Sequence, residues 1–148
     1  MPQITPATLD DVPQLVGLLT ILFIHEVELA PDPAKQEQAL RLILAQPEQG
    51  RIYCAREAGL VLGMVSLLFT VSTAEGGRSA WLEDMVIHPD HRNRCLGEQL
   101  IRHALQDGQK LGCKRVTLLT DGVNTGARRF YERMGFQLSE MVPYRLHF

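Results

Sequence analysis

Cysteine is scarce in this sequence: Cys54, Cys95 and Cys113 are the only three, and no two have CxxC spacing. That argues against a disulfide framework or a thiolate zinc site and favours a reducing compartment. Long apolar runs are missing as well. The longest, Gly59 to Val71, is broken by Gly63 and Ser66 and is too short to cross a bilayer. The first residues lack a basic stretch followed by an apolar one, so no signal peptide is expected and the expected location is cytoplasmic. Excess charge is also lacking. A formal net charge of −2 gives no electrostatic footprint for nucleic acid or an anionic membrane, and neither is expected as a partner. Metal-ligand spacing is incomplete: His88-Pro89-Asp90-His91 lies on a turn without a third ligand, and His25-Glu26 lacks the second histidine of HExxH. No metal is expected.

What is present is an ordinary globular composition over 148 residues, enough for one domain with a real core. A short strand at Gln3–Thr5 precedes a helix whose apolar face runs Val12, Leu15, Val16, Leu19, Leu22 and Phe23. Pro13 is tolerated only in its first turn, with Asp10 near the N-cap. Asp32-Pro33 opens a second helix through Leu40, Ile43 and Leu44. Strands follow at 51–56 and 60–71, then a loop over Ser72–Ser79 and a strand at Ala80–Ile87.

The next helix has the strongest pattern. Leu96, Leu100, Ile101, Ala104, Leu105 and Leu111 share half its circumference, and Gly112 ends it. Val116–Leu119 reads as a buried parallel strand. Ala127, Phe130, Tyr131 and Met134 form one face of a short helix stopped by Gly135, and strands from Phe136 and Val142 complete the chain. The order β-α-α-β-β-β-α-β-α-β-β predicts an α+β or mixed α/β domain built around one sheet.

Between the strand at 80–87 and the helix from Leu96 lies a turn containing Arg92-Asn93-Arg94-Cys95-Leu96-Gly97-Glu98. A helix N-terminus offers unpaired N–H groups and partial positive charge, Arg92 and Arg94 add guanidinium groups, and Gly97 permits close approach. This is an anion site or a solvated connection. GxxxxGK[ST] and GxGxxG are both absent, which removes the usual nucleoside-triphosphate and nicotinamide chemistries.

The turn resembles the pyrophosphate motif [Q/R]xxGx[G/A] of the GNAT superfamily of acyl-CoA-dependent N-acyltransferases. Arg92 and Gly97 match it, while Cys95 stands where that family has its first glycine. Ile4–Asp11 resembles the family's first strand and helix start, Leu82–Ile87 its central strand, and Asn124–Phe136 its NxxAxxxYxxxGF signature.

The resemblance implies a single N-acetyltransferase domain over 1–148, with a central mixed, mostly antiparallel sheet flanked by helices. It implies acetyl-CoA as co-substrate, its pantetheine arm along Met85, Val86 and Ile87 and its diphosphate on Asn93–Glu98. Asn124 either caps its helix, contacts the cofactor, or does both. Tyr131 falls on the general-acid position. Neighbours on a strand face opposite ways, so only one of Glu83 and Asp84 easily faces the substrate, and the resemblance places the base, acting directly or through water, near Glu83. His25 and Glu26 lie where the family's first two helices border the acceptor, a small-molecule amine, and are either substrate contacts or solvated surface residues. A homodimer is compatible with exposed strand edges and with Trp81. The alternative reading is a non-catalytic acyl-CoA-binding regulatory protein on the same fold.

Overall fold

The computed structural model describes all residues, 1–148. Its five strands are β1 (Gln3–Pro6), β2 (Gly50–Glu57), β3 (Leu60–Ser72), β4 (Gly77–Ile87) and β5 (Val116–Leu118). Its helices are α1 (Val12–Ile24), α2 (Pro33–Leu44), α3 (Leu96–Lys110) and α4 (Thr125–Arg133). The strands lie in sequence order across one sheet, antiparallel throughout except for the parallel β4–β5 pair. This is the mixed α/β, mostly antiparallel architecture that the sequence implied.

Strand alternation builds two cores, one on each face. Along β2, Tyr53 and Ala55 face α3 and pack with Leu62, Val65, Leu67, Leu100 and Ile101. Ile52 and Cys54 face the other way, against Val12, Leu15, Leu19 and Leu40 of α1 and α2. Gly63 sits between the layers. A Cβ there would lie 2.4 Å from Ile87 Cδ1 and 3.0 Å from the Val86 carbonyl oxygen. Gly63→Ala should therefore destabilise the fold by about 1–3 kcal/mol, measured by urea unfolding.

The helix starts are set by side chains. α1 follows a single 3₁₀ turn, Leu9–Asp11, with Pro13 in its first turn. Asp11 serves as its N-cap residue, where Asp10 was expected. The Asp11 carboxylate accepts from the Thr8 amide at 2.8 Å and from Arg56 Nη1 and Nη2 at 2.7 and 2.9 Å. These contacts, the Arg56 hydrogen bond foremost, hold its pKa below the usual carboxylate value. Asp32 caps α2 as expected, accepting the Lys35 amide. Buried Gln36 ties α2 to α1 by donating to the Val16 carbonyl and Thr20 hydroxyl, at 3.1 and 3.0 Å.

Two expected features differ. Ser72–Ser79 is not an open loop but a tight hairpin tip confined to Thr73–Gly76. Gly76 adopts φ 73° and donates its amide to the Ser72 carbonyl, so pairing continues almost to the turn. The strands expected from Phe136 and Val142 are absent: no regular element follows Arg133, and no backbone–backbone hydrogen bond involves any residue beyond Phe136. An alternating segment becomes a strand only where another strand pairs with it, and this chain places none beside it.

Candidate active site

β4 and β5 pair only at Ala80–Leu82 with Val116–Leu118. Beyond Leu82 the β5-side edge of β4 has no strand partner, while its other edge still pairs with β3 at Glu83, Val86 and Ile87. The register with β3 shifts between Met64 and Ser66, and Asp84 at the shift adopts φ 54°. This bulge re-aims the strand where it loses its neighbour. Strands that diverge in this way leave free backbone donors and acceptors for an extended ligand.

The open edge leads into the Arg92–Cys95 turn. Asn93 and Cys95 both take left-handed backbone conformations, φ 62° and 59°, and Cys95 is the residue before α3. The amides of Leu96, Gly97 and Glu98 have no backbone acceptor, and the first intrahelical bond here runs from Gln99 to the Cys95 carbonyl. Three free donors at the positive end of a four-turn helix fit a diphosphate. Cys95 thus keeps the backbone shape that glycine adopts readily, with an exposed thiol. A Cβ on Gly97 would meet Met85 Cε at 3.2 Å and Phe130 Cζ at 3.5 Å, so Gly97 also lets α3, β4 and α4 close together.

The arginines are not equivalent. Arg92 is exposed and donates to the Ile87 carbonyl at 3.3 Å, beside the free amides. Arg94 is held by Glu57 at 2.7 Å, and it contacts His91 as well. Its hydrogen bond keeps the Glu57 carboxyl below its ordinary pKa. Arg94 therefore braces the turn against the β2–β3 hairpin. The Glu98 side chain pairs with Arg102 at 2.8 Å on the outer face of α3, which leaves its amide as the part available to a ligand. Asn124 caps α4, its Oδ1 accepting the Ala127 amide at 3.0 Å.

Tyr131 and a group of carboxylates are coupled through their charges. Tyr131 packs edge-on against Phe130 and Phe136, with ring centroids 5.3 and 6.0 Å away. Burial, then the negative charge of Glu26, pushes its pKa up to about 12. Its hydroxyl has no protein hydrogen-bond partner and is not sealed from solvent. Glu26, just past α1, is half-buried and shifted upward by burial and by Asp121, which lies after β5. Burial, then the charges of Glu83 and Glu26, raises Asp84 to about 7. Glu83 itself is exposed, and His25 lies exposed at the end of α1.

Of the residues singled out from sequence, Glu26, Asp84 and Tyr131 thus share one electrostatic neighbourhood, and Glu83 adjoins it. Asp121 and Ser66 were not foreseen. Ser66 pairs with Glu83 in the β3–β4 register, and its hydroxyl is buried without a hydrogen-bond partner. Only its placement inside an apolar strand could have signalled it. The Ser72–Ser79 segment lies at the far end of β4, with about 20 Å of strand between Gly77 and Glu83.

A strand that loses its neighbour partway, a helix start with free amides after it and a tyrosine with an unpaired hydroxyl are the features that the resemblance to acyl-CoA-dependent acyltransferases implied. The family model described as "Acetyltransferase (GNAT) family" matches residues 14–136, and the chain belongs to that family. It is similar to the glucosamine 6-phosphate N-acetyltransferase of Trypanosoma brucei brucei, at 30% identity over 91 residues, or 61% of this chain and 60% of that protein. The matched stretches cover from about a third to 60% of the lengths of the curated relatives.

Two solved structures share the fold. A transcriptional regulator from Bacillus halodurans C-125 superposes with a TM-score of 0.83 at 25% identity, covering 100% of both chains. A "predicted acetyltransferase with acetyl-CoA" from Clostridium acetobutylicum gives 0.82 at 18% identity, covering 98% of this chain and 96% of that one.

Proposed function

We infer that this protein is an acetyl-CoA-dependent N-acetyltransferase that acetylates a small cationic amine in a direct ternary complex. The observation that carries this reading is the open β4 edge at Met85–Ile87, which runs into the unpaired amides of Leu96–Glu98. These elements, with Arg92 beside them, would hold the arm and diphosphate of acetyl-CoA, which supplies an activated acetyl thioester when bound. A backbone N–H of Met85–Ile87 is the candidate donor to the thioester carbonyl oxygen.

The chain's own groups account for the proton movements. Asp84, titrating near 7, accepts the amine proton directly or through water. The buried setting of Asp84 favours it over the exposed Glu83 that the sequence suggested as base. Glu83 then serves to draw the cation in. The Tyr131 hydroxyl stays protonated at neutral pH and is free to donate to the departing sulfur. A cation bound among Glu26, Asp84 and Asp121 also offsets the negative field that keeps Tyr131 weakly acidic.

Those carboxylates make the acceptor a polyamine or aminoglycoside type of molecule, with His25 at the rim. An acceptor phosphate would meet like charge here. A coenzyme A-release screen should therefore show turnover with polyamines or aminoglycosides well above that with glucosamine 6-phosphate, amino acids or peptide N-termini. The reverse order sinks the assignment of acceptor class. The reading extends to a cytoplasmic homodimer, supported by the unpaired outer edge of β5.

A second reading, a non-catalytic acyl-CoA-binding regulator, is favoured by Cys95 in the diphosphate turn and by the likeness to the Bacillus halodurans regulator. Titration calorimetry with acetyl-CoA combined with the same screen separates the two, because the regulator binds without turnover. Cys95→Gly should tighten acetyl-CoA binding several-fold, since the turn already has the backbone shape glycine favours and would lose only the side chain. Unchanged or weaker affinity would mean that the site is built around the cysteine.

A further inference from the structure

Trp81 is the only tryptophan of the chain and lies just before β4 loses its β5 neighbour. Strand parity fixes its direction. Ala80 and Leu82 belong to the core under α3, so Trp81 and Glu83 point to the opposite face of β4. On that face the core under α1 and α2 takes Val86 from β4 and nothing from β5. Trp81 is left 36% exposed, in register with Leu68 on one side and Thr117 on the other. Leu119, just past the end of β5, is exposed as well. A single exposed aromatic is ordinary in a folded protein. Its neighbours set this one apart.

Glu83 is exposed and stands two residues further along the same face, about 7 Å away along the strand. Next to it Asp84 lies in the field of Glu83 and Glu26, and Glu26 in turn faces Asp121. None of these carboxylates forms an ion pair with a lysine, arginine or histidine of the chain. Ser66, opposite Glu83 in the β3–β4 register, is 1% exposed, and its hydroxyl is the one buried side-chain polar atom without a partner. Leaving such a group unpaired costs about 1–3 kcal/mol, so the base of this face lacks a hydrogen-bonding partner that the protein does not supply.

These observations describe a ligand with two cationic nitrogens joined by an apolar chain. A cation over the indole face is attracted by the ring's quadrupole, and methylene groups pack on Trp81 and Leu119. A hydroxyl-rich ring system would instead cover the indole with polar groups that find no partner there. From Trp81 to Asp84 the strand runs about 10 Å, within the span of a flexible diamine chain. We propose that Trp81 selects the acceptor: its indole carries the second, non-reacting ammonium of a linear diamine or polyamine, with Glu83 beside it, while the reacting nitrogen lies at Asp84. The proposal rests on the acetyltransferase reading above and narrows its acceptor to linear amines over aminoglycosides.

Because Trp81 is the sole tryptophan, indole emission reports on the site directly and needs no acyl transfer. Titration with hexamethylenediamine, with and without coenzyme A, should give a saturable change in emission. Its midpoint should lie about tenfold below that of hexylamine, which has the same chain and one ammonium fewer. By calorimetry, Trp81→Leu should reduce this preference to about twofold or less, and Trp81→Phe should restore most of it, because phenylalanine keeps a ring face. Emission that neither amine changes, equal midpoints for the two amines, or tighter binding of kanamycin than of the diamine would each overturn the proposal. Equal losses for both amines in Trp81→Leu would overturn it too, marking a structural tryptophan. If that variant does not fold, the emission titration of the unmodified chain decides. The enzymatic reading is separable: saturable diamine binding without release of coenzyme A from acetyl-CoA refutes only that reading. Release with the diamine while emission stays constant refutes only the role of Trp81.

Discussion

Replacing Tyr131 with phenylalanine should lower turnover by roughly 100-fold while acetyl-CoA affinity changes by less than about twofold. The ring is held by Phe130 and Phe136, and phenylalanine preserves both contacts. The hydroxyl makes no hydrogen bond to the protein, so its removal strands no partner and should leave the melting temperature unchanged or slightly raised. A merely structural tyrosine would show the opposite pattern, losing stability with little change in turnover. Since the phenol titrates near 12, it stays protonated through any workable assay pH, and no alkaline limb should arise from it. Stopped-flow or steady-state release of coenzyme A, with calorimetric binding alongside, provides the measurement. Full turnover in the variant removes Tyr131 from the proton path.

The second large effect is expected at Asp84. Its carboxyl is raised to about 7 by burial and by the neighbouring charges of Glu83 and Glu26, so it is half ionised at neutral pH. Turnover per acceptor should rise as pH increases through 7. Asp84→Asn should abolish that rise and cost roughly 100- to 1,000-fold in turnover. Asparagine is the right probe because it tolerates the left-handed backbone at φ 54° about as well as aspartate does.

The same substitution makes a stability prediction of opposite sign. Below the ordinary value of 3.8, Asp84 is protonated in both the folded and unfolded chain and costs nothing. Between 3.8 and about 7 the unfolded chain releases a proton that the folded chain retains, so stability falls as pH rises, then levels off. Asp84→Asn should therefore be more stable than the parent at pH 8, by up to about 4 kcal/mol, and equal to it below pH 4. Denaturant titrations at the two pH values check this. An asparagine variant that is both inactive and less stable at pH 8 would show Asp84 to be a structural carboxylate.

Much of the architecture was legible because it rests on local periodicity. The 3.6-residue face of α3, the Asp32-Pro33 start of α2 and the branched run of β5 each carry their own signal. The turn before α3 was legible as a candidate anion site for the same reason: a helix start, an arginine and a glycine occur within a few residues. Less of the chemistry could be read. Strand parity treats Glu83 and Asp84 as opposite-facing equals, and the register shift at Asp84 decides between their surroundings. Arg92 and Arg94 look alike in sequence, yet only Arg94 meets Glu57.

By itself, then, the sequence determined the elements up to α4 and the single mixed sheet, and it suggested an anion as the ligand of the turn before α3. These follow from the spacing of residues near one another along the chain. Tertiary structure alone decided that Glu26, Asp84, Asp121 and Tyr131 share one neighbourhood, because a pKa depends on charges and burial supplied by distant segments. It likewise decided that the alternating residues after Phe136 stay unpaired within one chain. Alternation states which side of a strand is apolar, but only a neighbouring edge can turn that pattern into a strand.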